Sequence, residues 1–402
     1  MRIFYAAGAS PNAFDISESR LWERNLHDTL AGMGHEVVKF GGDVTGHFTA
    51  FRNYRHDPEE QARFLEYRER MQSELLREVE EQHRKKPIDL FFSYFWSEIC
   101  EPGTVENIKA LGITTVNWFC NASYQFHLVR DLAPRYDWCL VPERFRLGDY
   151  IEAGARPIYC QEAANPEVYK PCDLPKEFDV TFVGQAYGDR PSYVKFLLDR
   201  KIDVRVWGNG WTRFAPGARE PGTRGLARVS HVARRLLTPD GRRAAGRRIL
   251  RKLGLPDGGD VGDASGLEWV HELPPGVLGG ILPDEEMIRM FSRSRINLGF
   301  STCGNTREET DRVVQVRLRD FEVPMSGGFY MVEYMQELEE FFDVGREIVC
   351  YEGPEDLVEK IRYYLAHEGE REAIRKAGHE RALRDHTWKR RFEKAFREMG
   401  LA

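Results

Sequence analysis

Short apolar segments alternate with helical patterns along most of this chain, and the alternation starts a second time near the middle. RIFYAA (2–7) and IDLFFSY (88–94) are two of the apolar segments in the first half, and FDVTFVG (178–184) restarts the series after a proline-containing stretch at 165–175. Uninterrupted apolar strands separated by helices are typical of a parallel sheet that helices cover on both faces. The pattern therefore predicts an α/β fold of two doubly wound domains.

The length of 402 residues agrees with two domains, because single hydrophobic cores rarely extend beyond about 250–300 residues. We predict an N-terminal domain over residues 1–172 and a C-terminal domain over 173–385, the latter with a basic insertion at 212–266. A final helix within 386–402 is expected to pack back towards the N-terminal domain. Other predicted helices are one that starts at Pro58, one that starts at Glu143, one over 283–295 capped by Asp284, and those over 354–366, 369–384 and 387–399.

Composition excludes several classes of protein. Hydrophobic residues make up 42% and aromatic residues 12% of the chain, which is enough for folded cores. The net charge of −6 gives no general nucleic-acid surface, so no nucleic acid is expected as a partner. The seven cysteines are scattered, with no CxxC and no His/Cys cluster at metal spacing, so neither a disulfide framework nor a metal site is predicted.

The N-terminus and the hydropathy bear on localisation. MRIFYAAGAS lacks the long apolar region of a signal peptide and is predicted to contain the first strand. No segment approaches the roughly 20 apolar residues of a membrane span. A cytoplasmic protein is expected, at most attached to the inner face of the membrane.

One segment, residues 212–253, is strongly basic. It contains twelve Arg or Lys residues against two acids, Glu220 and Asp240. In one interpretation it is a solvated insertion packed on its domain. In the other it is a basic amphipathic platform that contacts an anionic membrane or a phosphate-bearing acceptor.

Residues at the carboxyl ends of the predicted strands are candidates for ligand binding, because open parallel sheets bind ligands at that edge. Glycines there let a diphosphate approach the backbone, although ordinary βα turns also use glycine. The first domain lacks GxGxxG, so a nicotinamide or flavin cofactor is not indicated. The candidates are Gly8 in the first domain and Gly184, Gln185, Arg190, Gly208, Asn209, Gly280, Ile281 and Leu282 in the second.

The most specific stretch is VRLRDFEVPMSGGF (316–329). It predicts a helix that carries Arg317, Arg319 and Glu322 and runs into a Ser-Gly-Gly turn before a buried strand. Arg319 and Glu322 are three residues apart and share a helix face. They form either a surface ion pair of little consequence or a divided site, with the guanidinium on a diphosphate and the carboxylate on ribose hydroxyls.

This stretch, with the following YMVEYMQELEEFFDVGREIVCYEGPEDLVEKI, resembles glycosyltransferases of the spore-maturation CgeB-like group. NWF (117–119) and AANPEVYKP (163–171) extend the likeness into the first half. The resemblance implies the GT-B fold, in which two Rossmann-like domains face each other across a cleft. It also implies that Glu322 holds the donor ribose, that Arg319 lies near the diphosphate, and that Gly327-Gly328 closes the helix.

The function implied is a nucleotide-sugar-dependent glycosyltransferase of the hexosyltransferase type. It would move a sugar to an acceptor hydroxyl on a carbohydrate, lipid-linked or protein-linked acceptor, with retention. No Asp-x-Asp motif lies near a strand end, so neither a metal nor another cofactor is expected. Two positions depart from the group. Val314 stands eight residues before Glu322, where the wider retaining group often has another glutamate, and Cys120-Asn121 follows NWF in place of an acidic residue.

The catalytic candidates are His127, Arg319 and Glu322, and the acceptor-side candidates are Asn117, Asn121 and Asp131. His127 would be the base if the enzyme inverts configuration; otherwise it is a structural histidine or one that contacts the donor. Two other functions remain open. One is a sugar-nucleotide epimerase of GT-B-like fold, and the other is a non-catalytic spore or surface assembly protein that retains the fold.

Overall fold

The structure is a computed structural model that describes residues 1–7, 19–42, 58–218, 267, 270–303 and 312–401. Gly8 and residues 219–253 of the predicted basic segment lie outside these residues. The chain divides into two compact units. Unit 1 comprises Met1–Lys170 with Ala382–Ala402, and unit 2 comprises Pro171–Arg381.

Unit 1 is built on a six-stranded sheet with the order β2-β1-β3-β4-β5-β6, in which all neighbours are parallel. β1 and β3 are buried along their whole length, as expected for strands covered by helices on both faces. The strands are β1 Arg2–Ala6, β2 Glu36–Lys39, β3 Leu90–Ser93, β4 Thr114–Trp118, β5 Trp138–Val141 and β6 Pro157–Tyr159.

The helices of unit 1 cover this sheet with apolar side chains. Leu26 and Leu30 of the first helix are fully buried, and the long second helix buries Leu75 and Val79 while most of its other side chains face solvent. The helices are α1 Leu21–Gly32, α2 Pro58–Lys85, α3 Pro102–Ala110, α4 Ala122–Gln125 and α5 Leu147–Glu152.

The last helix, α11 (Trp388–Met399), belongs to unit 1. Thr387 caps it, since its hydroxyl accepts a hydrogen bond from the Arg390 amide at 3.3 Å. Trp388 packs against Trp118 with ring centres 5.3 Å apart, and Phe392 packs against Phe92 at 5.7 Å. The C-terminal segment thus completes the aromatic core of unit 1.

Unit 2 is built on a five-stranded parallel sheet with the order β11-β10-β9-β7-β8. Its strands are β7 Phe178–Val183, β8 Val204–Trp207, β9 Ser294–Gly299, β10 Tyr330–Glu333 and β11 Val349–Tyr351. Its helices are α6 Arg190–Asp199, α7 Asp284–Arg293, α8 Leu318–Met325, α9 Pro354–Ala366 and α10 Glu368–Asp385, of which the last four residues belong to unit 1. Val180, Ile296 and Met331 lie in the core between these layers.

The two parallel sheets confirm the predicted α/β class, but two helix starts differ from the prediction. Asp284 is the first residue of α7, and the capping position belongs to Pro283 with no side-chain hydrogen bond. Glu143 does not begin a helix; a single 3-10 turn over Arg144–Arg146 precedes α5. The prediction placed the helix start one turn too early because an acidic residue is typical of a first helical turn. Glu143 is instead buried.

No helix in the described part of the chain is both long and apolar enough to cross a membrane.

Candidate functional site

Strand order locates the candidate site of unit 2. β7 lies between β8 and β9. The chain therefore goes from β7 to β8 on one side and then crosses back to β9 on the other side, so the strand order reverses at β7. In open α/β sheets, ligands bind at such a switch point, beyond the carboxyl ends of the strands. The residues that follow β7 and β9 are therefore the candidates for ligand binding. Of the residues that follow β9, the structure describes 301–303 and then continues from 312.

Arg190 is a buried cation at this point. It begins α6, is 5% exposed, and donates from Nη1 to the Gln185 carbonyl at 2.9 Å. Nη2 donates to the Phe300 carbonyl at 3.5 Å, which joins the ends of β7 and β9, and the guanidinium lies 3.8 Å from the centre of the Tyr187 ring.

The charge of Arg190 is poorly compensated. Within the described residues no carboxylate forms an ion pair with it, and its Nε has no hydrogen-bond partner. Burial lowers the pKa of Arg190 and the charge of Arg317 adds to that effect, whereas Tyr187 and the carboxylate of Asp189 oppose it without reversing it. An uncompensated buried charge is costly, and an anionic ligand would supply the missing partner.

Three of the predicted strand-end glycines, Gly184, Gly208 and Gly280, lie together where β7 and β8 end. The Gly184 amide donates to the Trp207 carbonyl at 2.8 Å, and the Gly208 amide donates to the Gly280 carbonyl at 2.7 Å. Gly208 has a φ of 129°, and a Cβ atom there would lie 2.3 Å from the Gly184 carbonyl oxygen. Only glycine fits at 208. The other strand-end candidates are Gln185 and Ile281, both exposed, Leu282, half-buried, and Asn209, whose carbonyl accepts from Ala186 at 2.9 Å.

Arg319 and Glu322 form an ion pair on α8. Arg319 Nη1 lies 2.6 Å from Glu322 Oε2, and the Glu322 side chain is 2% exposed against 24% for Arg319. Arg319 Nη1 also lies 3.1 Å from the Met287 sulfur, and its guanidinium is 5.2 Å from the centre of the Phe291 ring. α7 therefore supports the arginine from the other side. The pair is far more buried than an ordinary surface ion pair.

The predicted Gly327-Gly328 turn closes α8. Gly327 has a φ of 67°, in the left-handed region that favours glycine. The amides of Gly327 and Gly328 donate to the carbonyls of Pro324 and Val323, each at 2.9 Å. A Cβ atom at 328 would lie 2.8 Å from Val323 Cγ1 and 2.9 Å from Asn297 Nδ2. The turn therefore depends on two glycines for two different reasons.

Arg317 precedes α8 and reaches the end of β9. Its Nη2 donates to the Thr302 carbonyl at 2.5 Å, and its amide donates to Asp320 Oδ2 at 2.8 Å. Asp320 also accepts from the Tyr330 hydroxyl at 2.6 Å, and burial raises the pKa of Asp320 to about 6. This buried acid fixes the start of α8.

Glu333 is a buried residue of the site that the sequence analysis missed. It ends β10, and its Oε2 accepts from the Ser301 amide at 3.1 Å and from the Thr302 hydroxyl at 3.3 Å. Arg312 pairs with its other oxygen. Glu333 thereby holds both ends of the segment that runs from residue 302 to residue 312. Its position at the carboxyl end of a strand is the signal that could have identified it.

The acceptor-side candidates lie in unit 1 and differ in their surroundings. Asn117 is buried in β4; its Oδ1 accepts from the Ser93 hydroxyl at 2.9 Å and the Phe95 amide at 2.8 Å, and its Nδ2 donates to the Phe95 carbonyl at 2.9 Å. Asn121 Nδ2 lies 3.5 Å from the Tyr94 hydroxyl. His127 and Asp131 are exposed. The amide of Asn117 is thus engaged within the sheet, and the other three follow β4.

A second missed residue is Glu143, two positions after β5. It is 3% exposed, and its Oε1 accepts from the Ser123 amide at 3.3 Å. Burial raises the pKa of Glu143 to about 7, against the opposing effects of backbone hydrogen bonds and of Arg146. A strongly shifted pKa at a strand end is typical of a residue in a functional site. As for metals, the described residues hold no group of three or more His, Cys, Asp or Glu arranged for a metal ion.

The sequence profile of a family described as glycosyl transferase-like matches residues 190–397, which is more than half of the chain. No curated protein sequence matches the chain.

Solved structures match over almost the whole chain at low identity. Sucrose-phosphate synthase from Thermosynechococcus elongatus is 11% identical with a TM-score of 0.54, covering 99% of both chains. HepE of Anabaena, solved with UDP-glucose, is 10% identical with a TM-score of 0.53, covering 100% of this chain and 99% of its own. AviGT4, a glycosyltransferase involved in avilamycin A biosynthesis, is 13% identical with a TM-score of 0.50, covering 99% and 96%. These likenesses confirm the GT-B fold.

Proposed function

The chain belongs to the family of glycosyl transferase-like proteins, and on this premise we propose that it transfers a hexose from a nucleoside-diphosphate sugar to an acceptor hydroxyl. The observation that carries the proposal is the buried Arg190 at the switch point of unit 2, which has no carboxylate partner within the described residues. A diphosphate bound there would supply the missing charge.

Three sets of residues support a donor site in unit 2. Arg190, Arg317 and Arg319 would face the diphosphate. Glu322 would accept hydrogen bonds from the ribose hydroxyls, and Gly280, Ile281 and Leu282 would face the base. The solved structures of HepE contain UDP or UDP-glucose, so a uridine nucleotide is the first donor to test.

The Arg319–Glu322 ion pair bears on how the ribose would bind. Arg319 Nη1 occupies Glu322 Oε2 at 2.6 Å, which fixes the carboxylate in one orientation. A carboxylate held in this way is preorganised to accept from a ribose hydroxyl without a loss of side-chain entropy. Arg319, at 24% exposure, keeps part of its guanidinium towards solvent and so towards an incoming anion.

The chemistry of the proposal is metal-independent and retaining. The three arginines would offset the negative charge that develops on the departing diphosphate when its bond to the anomeric carbon breaks. The acceptor oxygen then bonds to that carbon, and its proton passes to the departing diphosphate. Retention, and membership of the CgeB-like group, rest on the sequence resemblance. In this scheme His127 is a contact residue and not the base.

The acceptor is proposed to be a carbohydrate, a lipid-linked group or a protein-linked group that binds unit 1. Contact of residues 212–253 with an anionic membrane is a further proposal that rests on their sequence, because the structure describes only residues 212–218 of them. It would suit a lipid-linked acceptor, since about 1 kcal/mol accrues for each basic residue near an anionic surface.

A thermal-shift screen of the purified chain against UDP, UDP-glucose and the corresponding guanosine and adenosine compounds tests the proposal. A ligand at about 100 times its dissociation constant should add about 2.7 kcal/mol of stability. Failure of every nucleotide to stabilise the chain would contradict the proposal. Conversion of the sugar nucleotide to an epimer, with no transfer, would identify an epimerase.

A further inference from the structure

Ser123, in the segment that follows β4, is held on both sides by hydrogen bonds with two side chains. The Ser123 amide donates to Glu143 Oε1 at 3.3 Å, and the Ser123 carbonyl accepts from Arg146 Nη2 at 2.6 Å. We call Ser123, Glu143 and Arg146 the Ser123 clamp. It fixes the peptide units on both sides of residue 123, between the acceptor-side candidate Asn121 and the catalytic candidate His127.

The clamp is buried at the carboxyl ends of two neighbouring strands. Ser123 follows β4 and Glu143 follows β5, and these strands pair in register. Glu143 is 3% exposed and Ser123 is 0% exposed. The contact with Glu143 therefore lies out of water and the contact with Arg146 is partly buried, at the edge of the sheet where parallel α/β folds bind ligands.

Glu143 is placed to carry a proton. Its Oε1 accepts from the Ser123 amide, whereas its Oε2 is buried and has no hydrogen-bond partner within the described residues. A negative charge on Oε2 would be neither solvated nor hydrogen-bonded, which is costly, so the neutral acid with its proton on Oε2 suits the site better.

The groups that face Glu143 do not reverse this preference. The backbone amides of Ala122, Ser123 and Glu143 lower the pKa of Glu143, but less than burial raises it. Among the described residues Arg146 is the cation that lowers it further, and Arg146 Nη1 also binds Asp149 Oδ2 at 2.7 Å, which shares its charge. The Tyr150 hydroxyl and the Cys120 thiol interact with Glu143, and burial raises the pKa of both well above the usual values, so both are neutral. Consistent with this arrangement, burial raises the pKa of Glu143 from 4.5 to about 7.

We propose that neutral Glu143, together with Arg146, is a positioning residue that holds the segment 121–128 in place on the rest of unit 1. Loss of the Glu143 proton weakens this hold. The consequence for the reaction, that the placement of Asn121 and His127 towards an acceptor varies with pH, rests on the proposed function. The clamp itself does not.

The direction of the pH effect follows from linkage. Opening of the segment exposes Glu143 to water, where its pKa falls towards the ordinary value of 4.5, whereas in the closed segment it is about 7. The closed state therefore binds the proton more tightly. Closure is fully supported below about pH 4.5, is progressively lost as the pH rises towards 7, and stays at its weaker level above that pH.

Hydrogen exchange of the full chain, followed by mass spectrometry on peptides that cover residues 119–128, tests the proposal without any substrate. After correction for the intrinsic rate, protection of this segment should fall at least tenfold between about pH 5 and about pH 7. Glu143→Gln keeps an oxygen for the Ser123 amide and cannot ionise, so its protection should be high and unchanged over the same range. The matched control is Glu106→Gln, which removes an exposed carboxylate of unit 1 and should behave as the wild type.

Two results would overturn the clamp: pH-independent protection in the wild type, or the same pH dependence in Glu143→Gln. The wild-type profile alone decides the matter if the variant does not fold. UDP stabilisation of the same sample is measured in parallel. Its absence would overturn the proposed function and leave the exchange result standing, so the two failures can be told apart.

Discussion

Each unit buries an ionisable group at the carboxyl edge of its sheet, and the two groups have opposite needs. Arg190 in unit 2 is 5% exposed and Glu143 in unit 1 is 3% exposed. An arginine cannot lose its charge at any ordinary pH, so its burial calls for an anion from outside the protein. A glutamate becomes neutral by taking up a proton and needs no partner of opposite charge. The comparison points to a ligand site in unit 2 and to a titratable contact in unit 1.

Replacement of Arg190 is the most severe test of this contrast. In Arg190→Met, the charge is lost and much of the volume is kept, so UDP affinity should fall on the order of 100-fold, or about 3 kcal/mol. Stability without ligand should not fall, because the replacement of a buried charge by an apolar side chain is often neutral or stabilising. Calorimetry and thermal unfolding measure the two effects. Arg289→Met removes an exposed arginine of α7 and serves as the control.

Loss of stability without loss of UDP binding would break the comparison at this point. Arg190 would then be a structural cation, compensated by its contacts with the Tyr187 ring and the Phe300 carbonyl.

Replacement of Glu322 should have the next largest effect. Glu322→Ala removes a buried charged acceptor from the predicted ribose contact, so donor affinity should fall at least tenfold, since hydrogen bonds to charged groups contribute about 1.5–3 kcal/mol. Calorimetry on the folded variant with UDP provides the measurement. Glu286→Ala, on the exposed face of α7, is a suitable control. Unchanged affinity would remove Glu322 from the site and leave the Arg319 pair as a packing feature.

Sequence reasoning succeeded where periodicity and glycine chemistry decide the structure. The strands at 2–7 and 178–184 read as continuous apolar segments, and both are interior strands of parallel sheets. Gly208 and Gly328 were singled out at strand and helix ends, where the backbone passes too close to its neighbours for a Cβ atom. These features depend on local chain geometry, which the sequence encodes directly.

The buried acids could not be predicted in the same way. Glu143, Asp320 and Glu333 are each less than 10% exposed, yet carboxylates are usually found at the surface. What buries them is the meeting of distant segments, as when Tyr330 reaches Asp320 or Arg312 reaches Glu333. Asn117 is the opposite case, a residue that the sequence analysis did select and whose contacts it could not foresee. It was a candidate for acceptor binding, and long-range contacts with residues 93 and 95 engage its amide within the sheet.

Asp320 tests whether the contrast depends on the kind of charge or on the unit. It is an acid in unit 2, close to Arg317, and burial raises its pKa from 3.8 to about 6. Its contribution to stability should therefore be complete below about pH 3.8 and be lost as the pH rises through about 6, by roughly 1–3 kcal/mol in total. Asp320→Asn cannot titrate. Urea unfolding at several pH values gives the free energy of unfolding of the wild type minus that of the variant. This difference should decrease as the pH rises through this window.

A difference that grows with pH would show that Asp320 is stabilised as a carboxylate by Arg317 and Arg319. The acids of the two units would then behave differently, and the contrast would lie in the units and not in the kind of charge.

Removal of metal ions by chelation is expected to have the smallest effect. It tests whether the arginines of unit 2 alone offset the charge of the ligand. If fixed arginines offset the charge of the departing diphosphate, transfer from UDP-glucose should continue at about the same rate after treatment with EDTA. Arg319→Ala should instead lower kcat more than it changes the KM for the acceptor, because the charge develops only in the transition state. The measurement is release of UDP in the presence of an acceptor, with and without chelator. Activity abolished by EDTA and restored by magnesium or manganese would mean that the arginines alone do not suffice. The burial of Arg190 would then reflect a diphosphate that arrives with its own cation, so that the net charge the protein must neutralise is smaller than the contrast assumes.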